Sequence, residues 1–224
     1  MMLKRILLAN LVAAAWALPA QAAEIPQSAN LKYSGTMGIP ATMTFNRNGD
    51  NYKVVANINV PLYKIRFESG GKIVGNDLKP SYYTDTRNGK LYAYTKFSGN
   101  RVTYGKAGES YTKTVSGSVM DLFTLSWQLA FNEGKLPSNM HITNGKKISR
   151  LGAFVPTGSK QMSVAGKKTA VNQFTAHRGD GNVFYGFAPV LNNVPAQIGY
   201  NDDDGSKYNL TLKSATINGK TVQP

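Results

Sequence analysis

The chain has 224 residues, 42% of them apolar, which is enough for a sizeable core in one or two domains and argues against intrinsic disorder. Its 26 Lys and Arg against 12 Asp and Glu give a formal charge of +14, which favours anionic partners without naming one. The absence of cysteine excludes disulfides, thiolate nucleophiles, zinc ribbons, iron–sulfur clusters and lipid attachment through an N-terminal Cys.

Met1 to Ala22 carries basic Lys4 and Arg5, an apolar run from Ile6 to Leu18, and Ala20-Gln21-Ala22 ahead of Ala23. This is the pattern of a cleaved secretory signal. The run is shorter than the roughly 20 residues that span a bilayer, and no later segment is long and apolar enough to span as a helix. The expected organisation is a signal over residues 1–22 and a single β-barrel-like domain over residues 23–224. With no Cys after the cleavage site, the product is expected free in the periplasm, or secreted. A transmembrane barrel fits less well. The chain ends in Lys220-Thr221-Val222-Gln223-Pro224 without an aromatic terminal strand, and its strands carry charges on the face that would meet lipid.

From Leu31 onward apolar and polar residues alternate, with turn signals about every ten residues. Tyr52, Val54, Ala56, Ile58 and Val60 share one face against Lys53, Asn57 and Asn59, and Tyr63, Ile65 and Phe67 repeat the pattern against Lys64, Arg66 and Glu68. Asn48-Gly49-Asp50, Asn88-Gly89, Asn144-Gly145 and Asn218-Gly219 read as hairpin turns, because Asn and Gly tolerate positive φ. Strands are expected near 31–37, 41–47, 51–60, 62–68, 72–76, 81–87, 90–97, 101–104 and 111–115.

One helix follows, near 119–132. Ser118 with Asp121 three residues on forms a capping box, and Gly134 and Pro137 stop the run. Asp121, Thr124 and Gln128 occupy one narrow side and apolar residues cover most of the remainder, so the helix must be mostly buried. Further strands are expected over 140–143, 147–155, 161–164, 169–178, 183–188, 196–200 and 206–217. The predicted fold is mainly β, an antiparallel meander forming a barrel-like or strongly curved sheet, with the helix as plug or cap.

Asp121-Leu122-Phe123-Thr124-Leu125-Ser126-Trp127-Gln128-Leu129 resembles the Asp-x-x-Ser/Thr-leucine helix of an exported bacterial envelope family, domain of unknown function 3108. Leu78-Lys79-Pro80-Ser81-Tyr82-Tyr83 is similar to its turn into an aromatic strand. Val194-Pro195-Ala196-Gln197-Ile198, followed by Asp204-Gly205 and the strand to Leu212, is similar to its closing hairpin. Gln197 stands where members tend to carry a basic residue. The resemblance implies export and a barrel-like β fold, and brings no activity or catalytic residues.

Catalytic patterns are sparse. His141 and His177 lie far apart with no second ligand at a recognised spacing, so no metal site is expected. The Gly-x-Ser-x-Gly elbow is absent, and Ser118, His177 and Asp121 as a triad rest on common residues alone. Asp202-Asp203-Asp204-Gly205 fails the calcium-loop pattern, with Tyr200 at its first position and Thr211 at its twelfth. Gly166-Lys167-Lys168-Thr169 and Gly179-Asp180-Gly181 lack the glycines of phosphate-binding loops. The chain is therefore read as a non-enzyme without cofactor.

Binding features are richer. Phe123, Trp127, Phe131, Tyr63, Phe67, Tyr92 and Tyr94 are the candidates to line a hydrophobic cavity, and Lys64, Arg66, Lys90, Lys96 and Arg101 to hold an anionic group. Lys53, Lys72 and Arg87 extend the cationic series along consecutive strands. Stacking of nucleic acid on Tyr82, Tyr83, Tyr92 and Tyr94 is chemically feasible, but export argues against it. The leading expectation is an envelope protein that binds an amphipathic lipid, a lipopolysaccharide-like molecule or an acidic polymer, with peripheral membrane contact and no helical span. The alternative is a protein-interaction or assembly factor with a filled core and a basic docking surface.

Overall fold

The computed structural model describes residues 24–136, 138–179, 181–202, 205 and 207–224, and of Asp202 the backbone only. The expected signal over 1–22 lies outside the described residues, as do Asp180, Asp203 and Asp204. A first arm contains β1 (Ser28–Gly35), β2 (Pro40–Asn48), β3 (Asn51–Val60), β4 (Tyr63–Val74), β5 (Asp77–Arg87), β6 (Lys90–Ser98), β7 (Arg101–Lys106) and β8 (Tyr111–Thr114). Then come β9 (Val119–Asp121), helix α1 (Leu122–Phe131), β10 (His141–Thr143) and β11 (Ile148–Arg150). A second arm contains β12 (Val155–Val164), β13 (Lys167–Arg178), β14 (Gly181–Ala188), β15 (Val194–Asp202), β16 (Lys207–Ile217) and β17 (Lys220–Val222).

The two arms form one antiparallel sheet in the order β12-β13-β14-β15-β16-β1-β2-β3-β4-β5-β6-β7-β8, with β17 added to β16. The sheet is open, with β12 and β8 as its edges, so the expected barrel is not closed. It is strongly curved all the same. In a flat sheet β14 and β4 would lie about 29 Å apart, at about 4.8 Å per strand. Yet both meet the first turn of α1: the Tyr185 hydroxyl of β14 donates to the Leu122 carbonyl at 2.9 Å, while Phe67 of β4 packs on Phe123 at 5.2 Å between ring centroids.

The hairpin signals hold because each marks a reversal between paired neighbours. Asn88-Gly89 and Asn218-Gly219 adopt positive φ at both positions, the geometry that matches the twist of flanking strands. The expected break between 68 and 72 is absent. Ser81 instead forms a bulge in β5 opposite Gly70-Gly71, which run on inside β4, and a side chain on Gly71 would collide with the Lys79 carbonyl. The reversal falls later, at Gly75.

The helix starts three residues later than expected, because residues 119–121 pair in parallel with β10. Asp121, not Ser118, is the N-cap: its carboxylate accepts from the Phe123 and Thr124 amides at 2.9 and 3.1 Å. Phe123 to Phe131 are all buried. The polar side of the helix is buried too, and it is satisfied. Gln128 accepts from the Leu78 amide and donates to the Asn76 carbonyl, and the Thr124 and Ser69 hydroxyls bond each other.

β9, β10 and β11 form a separate small sheet that spans the gap between the arms. On one side the Thr143 hydroxyl meets that of Thr95 in β6 at 3.1 Å, and Gly145 lies so close to Ala93 that a Cβ there would clash. On the other side Leu151 bridges to Arg178, and the Gly152 amide donates to the His177 carbonyl at 2.8 Å.

Candidate functional site

Antiparallel pairing puts the turns after β1, β3, β5, β13 and β15 at one end of the curved sheet and those after β2, β4 and β16 at the other. The helix runs between these ends. Its C-terminal turns face a filled end, where Trp127, Phe131 and Phe45 pack with ring centroids 5.1 to 5.7 Å apart and Phe45 stacks on Tyr52. Its N-terminal turn faces a cavity of about 650 Å³, within the roughly 300–1,000 Å³ common for small-molecule sites.

Three groups of residues make the cavity. From the first arm come Ile58, Ile65 and Arg87, which face one another across β3, β4 and β5, together with Phe67, Tyr83 and Asp85. From the second arm come Val183, Tyr200 and Tyr208, in register across β14, β15 and β16, and Arg178. Leu122 and Phe123 form the helix side, while Ile142, Thr143, Asn144, Lys146, Lys147 and Ser149 come from the small sheet. The lining thus carries four cations and one acid, beside a wall of aliphatic and aromatic side chains.

The cations are held by their surroundings. Arg87 bonds Asp85 at 3.0 Å and lies over the Tyr92 ring, 3.6 Å from its centroid. Burial alone would lower its pKa, but bonds to Asp85 and Tyr63 raise it above the ordinary value, so it is a fixed positive charge. Lys146 approaches the same ring at 5.7 Å, and Arg178, only 8% exposed, lies 5.3 Å from the Tyr200 ring. Tyr208 has a buried hydroxyl with no protein partner among the described residues, and burial pushes its pKa well up.

Of the residues expected to line a cavity, Phe67 and Phe123 do so. Trp127 and Phe131 belong to the filled end. Tyr63 and Tyr92 stand just outside the lining, where they hold Arg87. Tyr94 donates to the Glu109 carbonyl at 3.2 Å, with Lys96 6.0 Å from its ring. None of the five expected anion-binding residues lines the cavity. Lys64 and Lys90 lie at the starts of β4 and β6, beside the turns at its end of the sheet, Arg101 opens β7 at the other end, and Arg66 and Lys53 both pair with Glu68 on the outer face. Burial would raise the Glu68 carboxyl, but bonds from Lys53, Arg66 and Tyr82 hold it below its ordinary value, and the Tyr82 hydroxyl is pushed up to about 12, by burial first and then by Glu68.

Lys146, Lys147 and Arg178 were not singled out from sequence. Arg178 had a signal, since it lies in phase with buried Ala176. Arg87 likewise lies in phase with Tyr83 and Asp85. The lysines had none, because only the fold carries the β10–β11 turn to the cavity.

Asp121 caps α1 and lies beneath Tyr52, Tyr83 and Tyr185, whose hydroxyl pKa values are raised by burial and then by its charge. His177 is exposed, and burial lowers the pKa of His141. Among the described residues no group of three or more His, Asp or Glu is placed to hold a metal, and no helix is long and apolar enough to cross a membrane. No protein-family model matches the chain, no curated protein matches its sequence, and no solved structure matches its fold.

Proposed function

We propose that this protein is an exported, non-enzymatic envelope protein that binds an amphipathic anionic molecule of the lipid class. The observation that carries the reading is a cavity lined both by apolar side chains, Ile58, Ile65, Phe67, Phe123 and Val183, and by cations, Arg87, Lys146, Lys147 and Arg178. An acyl chain seated against the aliphatic wall gains about 0.8 kcal/mol per buried methylene. A headgroup ion pair with the exposed Lys146 or Lys147 adds about 1 kcal/mol or less. The tail therefore supplies affinity and the cations supply orientation, with the Tyr208 hydroxyl as a further donor.

An acidic polymer would leave the aliphatic wall without a partner. A basic docking surface on the outer face is weakened by Glu68, which engages both Lys53 and Arg66. Residues 1–22 and the resemblance to domain of unknown function 3108 support export. The test is native mass spectrometry of the protein purified from its own envelope without detergent, followed by solvent extraction. A bound mass lost on extraction is expected. A clean unliganded mass, with no uptake of a dansyl-labelled fatty acid, overturns the proposal.

A further inference from the structure

The turns at the cavity end have an unusual composition. Among the described residues, positive φ outside Gly and Asn occurs at Met37, Leu62, Glu133 and Ala165. A bulky apolar side chain in this region is strained, because Gly or Asn suits it better. Both bulky apolar cases, Met37 in the Thr36–Gly38 turn and Leu62 in the β3–β4 turn, lie at the cavity end. Both point away from the protein, with Met37 89% and Leu62 102% exposed. Neither the backbone nor the core therefore explains them.

The neighbouring turns continue the pattern. The turns after β1, β3 and β5 follow one another along the rim at intervals of two strands, about 10 Å. The second and third are tied together, since the Asn88 side chain accepts from the Lys64 amide and the Asn88 amide donates to the Lys64 carbonyl, both at 2.8 Å. Tyr63 and Leu91 are also exposed there, and Lys64, Lys90 and Lys146 flank them. Exposed aliphatic tips interspersed with lysines match the layering of an anionic bilayer surface, with headgroup phosphates over acyl chains.

We infer that the first-arm turns carrying Met37 and Leu62, with Leu91 at the start of β6 beside them, dock on an anionic phospholipid bilayer, with Met37 and Leu62 entering the acyl boundary and Lys64 and Lys90 on the phosphates. The contact sets the cavity mouth against the membrane. The inference rests on the cavity reading for its cargo and on the rim alone for the contact.

The test is flotation with phosphatidylglycerol–phosphatidylethanolamine vesicles, and with phosphatidylcholine vesicles as control. The protein should float with the anionic vesicles, and less so as salt is raised. M37N/L62N should bind them about tenfold more weakly, because two apolar anchors are lost. Its melting temperature should stay level or rise, since Asn accepts the left-handed backbone and no buried contact is removed. Absence of binding by the unaltered protein, or equal binding by the double variant, overturns the inference. Uptake of a dansyl-labelled fatty acid from solution, measured without vesicles, separates the two proposals. Uptake without vesicle binding removes the docking surface and leaves the cavity reading, whereas vesicle binding that needs Met37 and Leu62 but comes without uptake does the reverse.

Discussion

The two ends of the curved sheet are built from the same strands around the same helix, yet one is filled and the other hollow. At the filled end Trp127 and Phe131 project from the helix onto Phe45. At the hollow end the helix offers only Leu122 and Phe123, and the small sheet brings Lys146 and Lys147 into the remaining space. Alternation along a strand decides which side chains point inward. Whether they meet each other or a void depends on what the helix and the small sheet insert between them.

If that contrast is correct, substitutions at the two ends must differ in kind. The largest effect is expected for Trp127→Ala, a loss of about 3–5 kcal/mol in urea unfolding because a packed ring leaves a cavity. A loss under about 1 kcal/mol would mean that this end is not tightly filled. Asp121→Ala, between the two ends, should cost about 2 kcal/mol in the same assay, through the lost cap and an unsatisfied Thr124. Ile65→Trp should move stability little. It should instead reduce fatty-acid uptake about tenfold, equivalent to about 1.4 kcal/mol, by occupying the void.

Smaller effects sharpen the charge side of the contrast. Lys146→Glu should weaken binding of an anionic amphiphile by about 1 kcal/mol or less and leave an uncharged analogue unaffected, with the difference shrinking at high salt. Glu68→Gln, on the outer face, should cost about 0.5 kcal/mol, since its partners Lys53 and Arg66 are nearly half exposed. The folded-state pKa of Glu68 is lowered, so its contribution is fully present above the ordinary value of 4.5 and is lost as pH falls through the folded value. Denaturation of the unaltered protein and the variant should therefore converge on the acid side.

Local chemistry made most of the strand framework legible. Asn-Gly pairs gave the reversals, and period-two alternation gave the inner faces of β3 and β4. Gly70-Gly71 misled, because a double glycine serves equally as a strand end or as room for a bulge in the facing strand, here at Ser81. Ser118 misled as well, since it sits at capping distance but the parallel pairing of 119–121 with β10 claims the intervening residues. Of the five aromatic residues that line the cavity, Phe67 and Phe123 were legible as lining, and Tyr83, Tyr200 and Tyr208 were not. The lysines Lys146 and Lys147 were illegible, because their role depends on a contact between β6 and a turn far along the chain.

The seam between the arms has a kinetic consequence. Each arm is a run of hairpins whose strands pair with their neighbours in sequence, so each can form from local contacts. The pairing of β1 with β16 is different: the Ser28 amide donates to the Asn218 side chain across a separation of 190 residues. Closing so long a loop comes late and slowly. The continuous sheet therefore exists only once the last long strand has returned to the first, and a chain truncated before β16 would leave β1 as an unpaired edge open to association with other chains.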